Sequence, residues 1–214
     1  MSVLNEQQVS DLYDKNARYY DLLLLPVRAL GVRRWRANLI SDLCLTEGDT
    51  VVDLCCGTGA NFPFLSEAVG KTGQIVGVDL SAQMLRRARH KCEEGDIENV
   101  ELHCASVTDF SVPPRTNAVI STFGLEMVPE YRSVIERISD NMEFGARLGL
   151  VGLKHPEGWP DWLVELGVKL NRPFGVSRAY ENFRPWQAAQ DYLSNVYYKE
   201  HLFGAAYSCV TAKE

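Results

Sequence analysis

Residues 50–61, TVVDLCCGTGAN, and residues 74–79, QIVGVD, decide the fold. Each is a short β-branched run carrying a carboxylate at or near its end, Asp53 in the first and Asp79 in the second. The first runs into a tight glycine loop and then into residues 61–69, which can be helical. Strand, glycine turn, helix and strand make the βαβ unit that takes nucleosides at the carboxyl ends of a parallel sheet.

The placement of charge and glycine narrows the ligand. A dinucleotide fingerprint reads G-x-G-x-x-G, with its glycines set against a pyrophosphate. Here Gly57 and Gly59 are present, but the third position is Phe62. Asp53, beside the loop, would repel a phosphate and suits a nucleoside whose nearby group is cationic, such as an ammonium or sulfonium. Asp79 is placed to accept both hydroxyls of a ribose.

With these residues the chain resembles the class I S-adenosylmethionine-dependent methyltransferases. Their first motif is D-x-G-x-G-x-G, which 53–59 matches except that Cys55 stands for the first glycine. Their ribose-binding acid matches Asp79, in Val78-Asp79-Leu80-Ser81 and followed by Met84-Leu85. The resemblance implies an α/β, Rossmann-like, seven-stranded, mostly parallel sheet. It adds an antiparallel C-terminal hairpin, helices on both faces and an N-terminal helical cap. It implies S-adenosyl-L-methionine as methyl donor, S-adenosyl-L-homocysteine as product, and no metal. The implied cofactor site comprises Tyr20, Asp53, Cys55, Cys56, Gly57, Gly59, Asn61, Asp79, Leu80 and Met84, with Ser106, Val107, Thr122 and Phe123 from later strand ends. The family's acid for the adenine amino group aligns with Ser106, a weaker acceptor than a carboxylate. Asp109 is the alternative, expected on the exposed side.

The chain of 214 residues is 46% hydrophobic, enough for one domain with a full core. We divide it into a cap (1–45), a cofactor-binding core (46–154), an acceptor lid (155–190) and a terminal hairpin (191–214). A net charge of −6 argues against a nucleic-acid partner. So does the segment after the fourth strand, Ser121-Thr122-Phe123-Gly124, where base-amine methyltransferases carry a proline-rich motif. Six cysteines show no metal spacing, and Cys44, Cys92, Cys104 and Cys209 sit mostly in apolar contexts, as reduced thiols would. The N-terminus has no signal-peptide pattern and no run reaches membrane-spanning length, so a cytoplasmic protein is expected.

Residues 2–43 read as helical, with four arginines and no acid between Val27 and Arg36. Two readings of residues 22–36 stand: a basic segment that touches an anionic or membrane-associated substrate, or a cap helix packed on the core with solvated arginines. Helices are expected at 61–69, at 81–94 with Ser81 as N-cap and Ala82, Leu85 and Ala88 on one face, from near Pro129, and at 187–195. Strands follow at 99–104, 117–122 and 146–154, and a hairpin at 196–200 and 203–213. Between them, residues 155–184 hold Trp159, Trp162, Leu163, Leu166 and Leu170 at helical spacing, where the family inserts its acceptor lid. That stripe lines an apolar acceptor pocket or belongs to the core.

Methyl transfer from a sulfonium needs positioning and desolvation above all, and orientation alone is worth roughly 7–11 kcal/mol. A base is needed only where the acceptor must lose a proton. The candidates are His155, whose residue type titrates near working pH, Glu126, and Tyr20, which by resemblance to the ubiquinone and menaquinone C-methyltransferase branch would close over the cofactor. The acceptor is expected to be a small molecule or lipid-like, methylated either as a quinone-type carbon or as a phospholipid amine. A regulatory module that binds the cofactor without catalysis is the rival from another class, and a nicotinamide enzyme is the remoter one.

Overall fold

A computed structural model of the chain describes residues 4–23 and 31–214. Two helices, α1 (Glu6–Leu23) and α2 (Val32–Asp42), precede the sheet. The core then alternates as β1 (Thr50–Leu54), α3 (Phe62–Val69), β2 (Gln74–Asp79), α4 (Ala82–Glu94), β3 (Val100–Cys104) and β4 (Ala118–Thr122). It continues through α5 (Tyr131–Asn141), β5 (Arg147–Leu153), α6 (Asp161–Asn171) and α7 (Pro185–Tyr192) to the hairpin β6 (Ser194–His201) and β7 (Ala206–Ala212).

The seven strands are ordered β3-β2-β1-β4-β5-β7-β6, with β1 to β5 parallel and β7 antiparallel to both β5 and β6. Because β1 pairs with β2 on one side and β4 on the other, the chain leaves it in opposite directions. A crevice opens there, at the carboxyl ends of the strands.

The central strands are short apolar runs because both faces are covered. Alternate side chains of β1 serve opposite layers. Val52 and Leu54 join α5 and α7 through Val134, Ile135, Ile138, Trp186 and Ala189. Val51 joins α2, α3 and α4 through Leu39, Leu65, Leu85 and Ala88. Asp53 shares the side of Val51, which later fixes its environment.

The position that would be the third glycine of a dinucleotide fingerprint has a packing role here. The Phe62 ring is fully buried between α3 and the strands. A Cβ on Gly77 of β2 would lie 2.8 Å from Phe62 Cζ, 2.9 Å from Leu102 and 3.2 Å from Cys56 Sγ. A glycine in the strand and an aromatic wedge in the helix are therefore complementary.

Several expectations shift. The last helix spans Pro185–Tyr192 rather than 187–195, because Leu193 turns extended and Asn195 pairs with Thr211 in the hairpin. The hairpin strands run Ser194–His201 and Ala206–Ala212, joined by a 3₁₀ turn at Leu202–Gly204. Ala82 is exposed, and Met84 and Cys92 complete the buried face of α4 with Leu85 and Ala88. Ser81 caps that helix by accepting the Met84 amide at 3.1 Å. Cys44 and Cys104 are exposed rather than apolar-packed. In α6, Trp162 (68% exposed), Leu166 and Leu170 face outward from the core among the described residues. Of the basic segment, residues 24–30 lie outside the described part. In α2, Val32, Leu39 and Ile40 are buried and Arg33 and Arg34 exposed. Among the described residues no helix is long and apolar enough to cross a membrane.

The wedge gives a direct test. Gly77→Ala should lower stability by about 1–3 kcal/mol through overpacking, seen as a lower urea midpoint with an unchanged m-value.

Candidate active site

The loop after β1 is shaped by two backbone bonds, from the Cys56 amide to Val78 O and from the Gly59 amide to Cys56 O, each 3.0 Å. Gly57 and Gly59 take left-handed conformations (φ 54° and 70°). A Cβ on Gly59 would meet the Phe62 ring at 2.5 Å, whereas one on Gly57 would meet nothing within 4 Å. Gly59 is thus a packing glycine, and Gly57 leaves the cleft floor bare for a ligand. Cys55, at the first glycine position of the motif, also adopts φ 55°. A side chain held there costs about 1–2 kcal/mol. Its sulfur packs over Gly124, which has no room for a Cβ. Burial and the neighbouring Asp79 push the Cys55 thiol well up, so it stays protonated and is not a nucleophile.

Asp79 is clamped from both flanking loops. Its Oδ2 accepts the Gly57 amide at 2.8 Å and its Oδ1 the Ser81 amide at 2.9 Å. Burial raises its pKa, and the two amides oppose that rise. The carboxylate lies on the cleft wall with Leu80, Ser81 and Met84, oriented by the backbone and still able to accept further donors, as vicinal hydroxyls require.

Asp53 is a different kind of acid. It is fully buried beneath the loop, where both oxygens accept the Asn61 amide nitrogen at 3.1 Å, and that nitrogen also reaches Thr122 Oγ1 at 3.0 Å. Burial pushes its pKa up to about 7, against the pull of Asn61 and Arg36. Asp53, Gly59 and Asn61 thus lie behind the cleft surface, fastening the loop to β4. Cys55, Cys56, Gly57, Asp79, Leu80 and Met84 line the cleft itself, as do Ser106, Val107, Thr122 and Phe123. The side chain of Tyr20 lies outside what the structure describes.

Sequence reasoning missed the other wall. Glu6, Val9, Ser10 and Tyr13 of α1 line the cleft, with Leu4 just ahead of them and Arg36 of α2. The spacing 6, 9, 10, 13 is one helical face, but its mixed polarity hid it from an apolar-stripe search. The helix is moored by Ser81 Oγ donating to Asp14, Ser106 Oγ donating to Glu6, and Tyr13 OH donating to Phe174 O at 3.1 Å. Asp109 is exposed and takes no part. Arg36 lies 5.5 Å from the Phe123 ring centroid, a cation over an aromatic face.

A second chamber lies beyond Met127, which lines both spaces. Its walls are Leu153, Pro156, Trp159, Leu163, Val164 and Tyr180, and it contains Glu126 and His155. Glu126 is half-buried on a 3₁₀ turn, Leu125–Met127, and its Oε1 accepts the Leu153 amide at 2.8 Å. It sits against Gly152, whose missing Cβ makes the space. Burial pushes its carboxyl up to about 7, and the bound amide opposes the shift. Arg178 at the edge is engaged by Asp161, Glu165 and Glu181. Lys154 pairs with Glu200.

The fold and this cleft define an S-adenosylmethionine-dependent methyltransferase. Residues 1–159 match the ubiE/COQ5 methyltransferase family, and the chain belongs to it. The demethylmenaquinone methyltransferase of Listeria welshimeri is 28% identical over 162 residues, covering 74% of this chain and 69% of that protein. The protein of the same description from Oceanobacillus iheyensis is 29% identical over 154 residues, 71% of this chain and 64% of that one. Among solved structures, the geranyl diphosphate C-methyltransferase of Streptomyces coelicolor superposes with TM-score 0.63 at 17% identity, over 83% of this chain and 78% of that one. SpnF, a cyclase, superposes with TM-score 0.71 at 14% identity, over 100% and 97%. The fold therefore carries more than one chemistry.

The raised acids set a pH signature. A carboxyl whose folded pKa of about 7 exceeds its unfolded value of 3.8 holds its proton more tightly in the folded state. It contributes stability below the unfolded pKa and loses it as pH rises through about 7. Asp53→Asn should therefore gain stability relative to the parent between about pH 4 and pH 7, by up to about 1.4 kcal/mol per pH unit. Urea unfolding at pH 5, 6 and 7 reads this slope difference.

Proposed function

We propose that this enzyme methylates a ring carbon of an apolar, hydroxyl-bearing acceptor of the quinol type, with Glu126 as the general base. The observation that carries this reading is the Glu126 carboxyl, pushed up to about 7 where it lines a largely apolar chamber that shares Met127 with the cofactor cleft. A base at that pKa is half-ionised at neutral pH and strong enough to take a phenolic proton when the site orients it. The relatives at 28–29% identity are demethylmenaquinone methyltransferases, whose description names an acceptor of this class.

On the cofactor side, the residues fit an adenosyl ligand. Asp79 would take the two ribose hydroxyls, the bare face of Gly57 would lie against the chain beyond the ribose, and Leu80, Met84 and Val107 would sandwich the base. When bound, the cofactor supplies an electrophilic methyl group on a sulfonium. Glu126 accepts the acceptor's hydroxyl proton, leaving electron density on the ring carbon beside it. The Leu153 amide holds that carboxylate in one orientation in both protonation states, because it contacts Oε1 and leaves Oε2 for the proton. Trp159, Leu163, Val164 and Tyr180 exclude water around the ring. His155 lines the same chamber. An amine acceptor would need no base, and a phospholipid would need a cation for its phosphate, whereas Arg178 is held by three carboxylates.

Methyl incorporation into a soluble demethylated naphthoquinol, compared with phosphatidylethanolamine vesicles, tests the proposal. The quinol should be methylated with kcat/KM rising through about pH 7, and the vesicles not at all. Glu126→Gln, which keeps the Leu153 bond, should lower kcat by about 10²–10⁴-fold and abolish the rise. Methylation of the amine, or an unchanged profile in the variant, would overturn it.

A further inference from the structure

The acceptor beside the base pocket comes from an unexpected element. With a ribose at Asp79, a nucleobase would run between Leu80, Met84 and Val107, which line the cleft, toward the loop after β3. At that edge the loop offers Ser106, whose hydroxyl is already committed. Ser106 Oγ donates to Glu6 Oε1, and Thr108 Oγ1 approaches the same oxygen at 3.2 Å. Ser106 Oγ and Thr108 Oγ1 are themselves 2.7 Å apart. Two hydroxyls from the loop thus hold one oxygen of a carboxylate that belongs to the N-terminal helix. Glu6 lines the cleft, and its Oε2 takes no hydrogen bond from the described residues.

We infer that Glu6 reads the exocyclic amino group of the cofactor's purine, so that base specificity is supplied by α1 rather than by the strand-end loop. The inference rests on the adenosyl cofactor assigned above and adds the group that selects its base. The chemistry is direct. An aromatic amine has two N–H donors and seeks an acceptor, and a carboxylate is a stronger acceptor than the Ser106 hydroxyl. A 6-oxo purine presents a carbonyl oxygen in place of the amine, and a carboxylate facing it would meet lone pairs. Ser106 and Thr108 act as positioning residues for Glu6, which explains why the loop carries hydroxyls where a direct acid would otherwise stand.

The same contact ties cofactor to lid. Two residues ahead of Glu6, the Leu4 amide donates to Tyr180 OH at 3.0 Å, and Tyr180 lines the second chamber. Further along α1, Tyr13 reaches Phe174 O at 3.1 Å. A base amine held by Glu6 would therefore brace the helix that also touches the acceptor side.

A first-turn glutamate can instead serve only the helix dipole and the mooring of α1, and the test must separate the two roles. Titration calorimetry compares S-adenosylhomocysteine with its 6-oxo analogue, S-inosylhomocysteine, on the full-length chain. The parent should prefer the amino form by at least about tenfold, the worth of one charge-assisted bond. Glu6→Ala should bring that ratio close to one. Glu6→Gln, which keeps a carbonyl acceptor, should retain part of it, and Ser106→Ala should lower it without abolishing it. A mooring role alone would weaken both ligands equally, and an undiminished ratio in Glu6→Ala would overturn the assignment while leaving the cofactor reading intact. Failure of the parent to bind S-adenosylhomocysteine at all would overturn the cofactor reading and this inference with it.

Discussion

The carboxylate of Asp79 holds the glycine loop after β1 and the turn after β2 in one place. One oxygen takes the Gly57 amide from the loop after β1, the other the Ser81 amide at the start of α4. Bonds from backbone amides to an ionised oxygen are about twice as strong as neutral ones. Here they join two loops that diverge from neighbouring strands, so the crevice between them has a fixed width. The cofactor cleft exists because that distance is fixed, and Asp79 is left facing it.

Beneath that clamp, Asp53 performs a structural task with a functional residue type. Its place on the Val51 side of β1 puts it under the N-terminus of α3, where Asn61 satisfies both its oxygens and reaches on to Thr122 at the end of β4. A buried acid is costly unless bonded in this way. The arrangement locks two strand ends, those of β1 and β4, to the start of α3 through one amide. Phe62 does the complementary work by shape, filling the gap between α3 and β2 that Gly77 leaves open.

The N-terminal segment and the segment after β5 meet across the site. Helix α1 packs against α4, anchors to Ser81 and Ser106 through Asp14 and Glu6, and reaches the lid through Tyr13 and Leu4. The cleft beside Asp79 and the chamber beside Glu126 are therefore joined twice, by Met127 between them and by the N-terminal segment, whose Leu4 and Glu6 line the first and whose Leu4 amide bonds Tyr180 of the second. The raised pKa of Glu126 comes from its surroundings rather than its residue type. The same glutamate on an exposed helix turn would titrate as an ordinary carboxyl, and it is burial against Gly152 that moves it.

What could be read from the chain alone was whatever depends on neighbours in sequence. The β-branched runs at 50–54 and 74–79, the glycines between them and the Ser81 cap are local signals, because strand, turn and cap energies are set within a few residues. The place of Asp79 was legible for the same reason, since it sits at the end of its strand. The stripe Trp162, Leu166 and Leu170 showed a helix correctly but not which way it would face, because periodicity identifies a face without saying what covers it. The boundary of α7 was displaced because Asn195 is claimed by Thr211, far along the chain. The depth of Asp53, the entry of Glu6 and Arg36 into the cleft, and the raised pKa of Glu126 were all decided by tertiary structure. Each depends on what approaches from a distant segment, and burial and electrostatic neighbours arise only when the sheet brings those segments together.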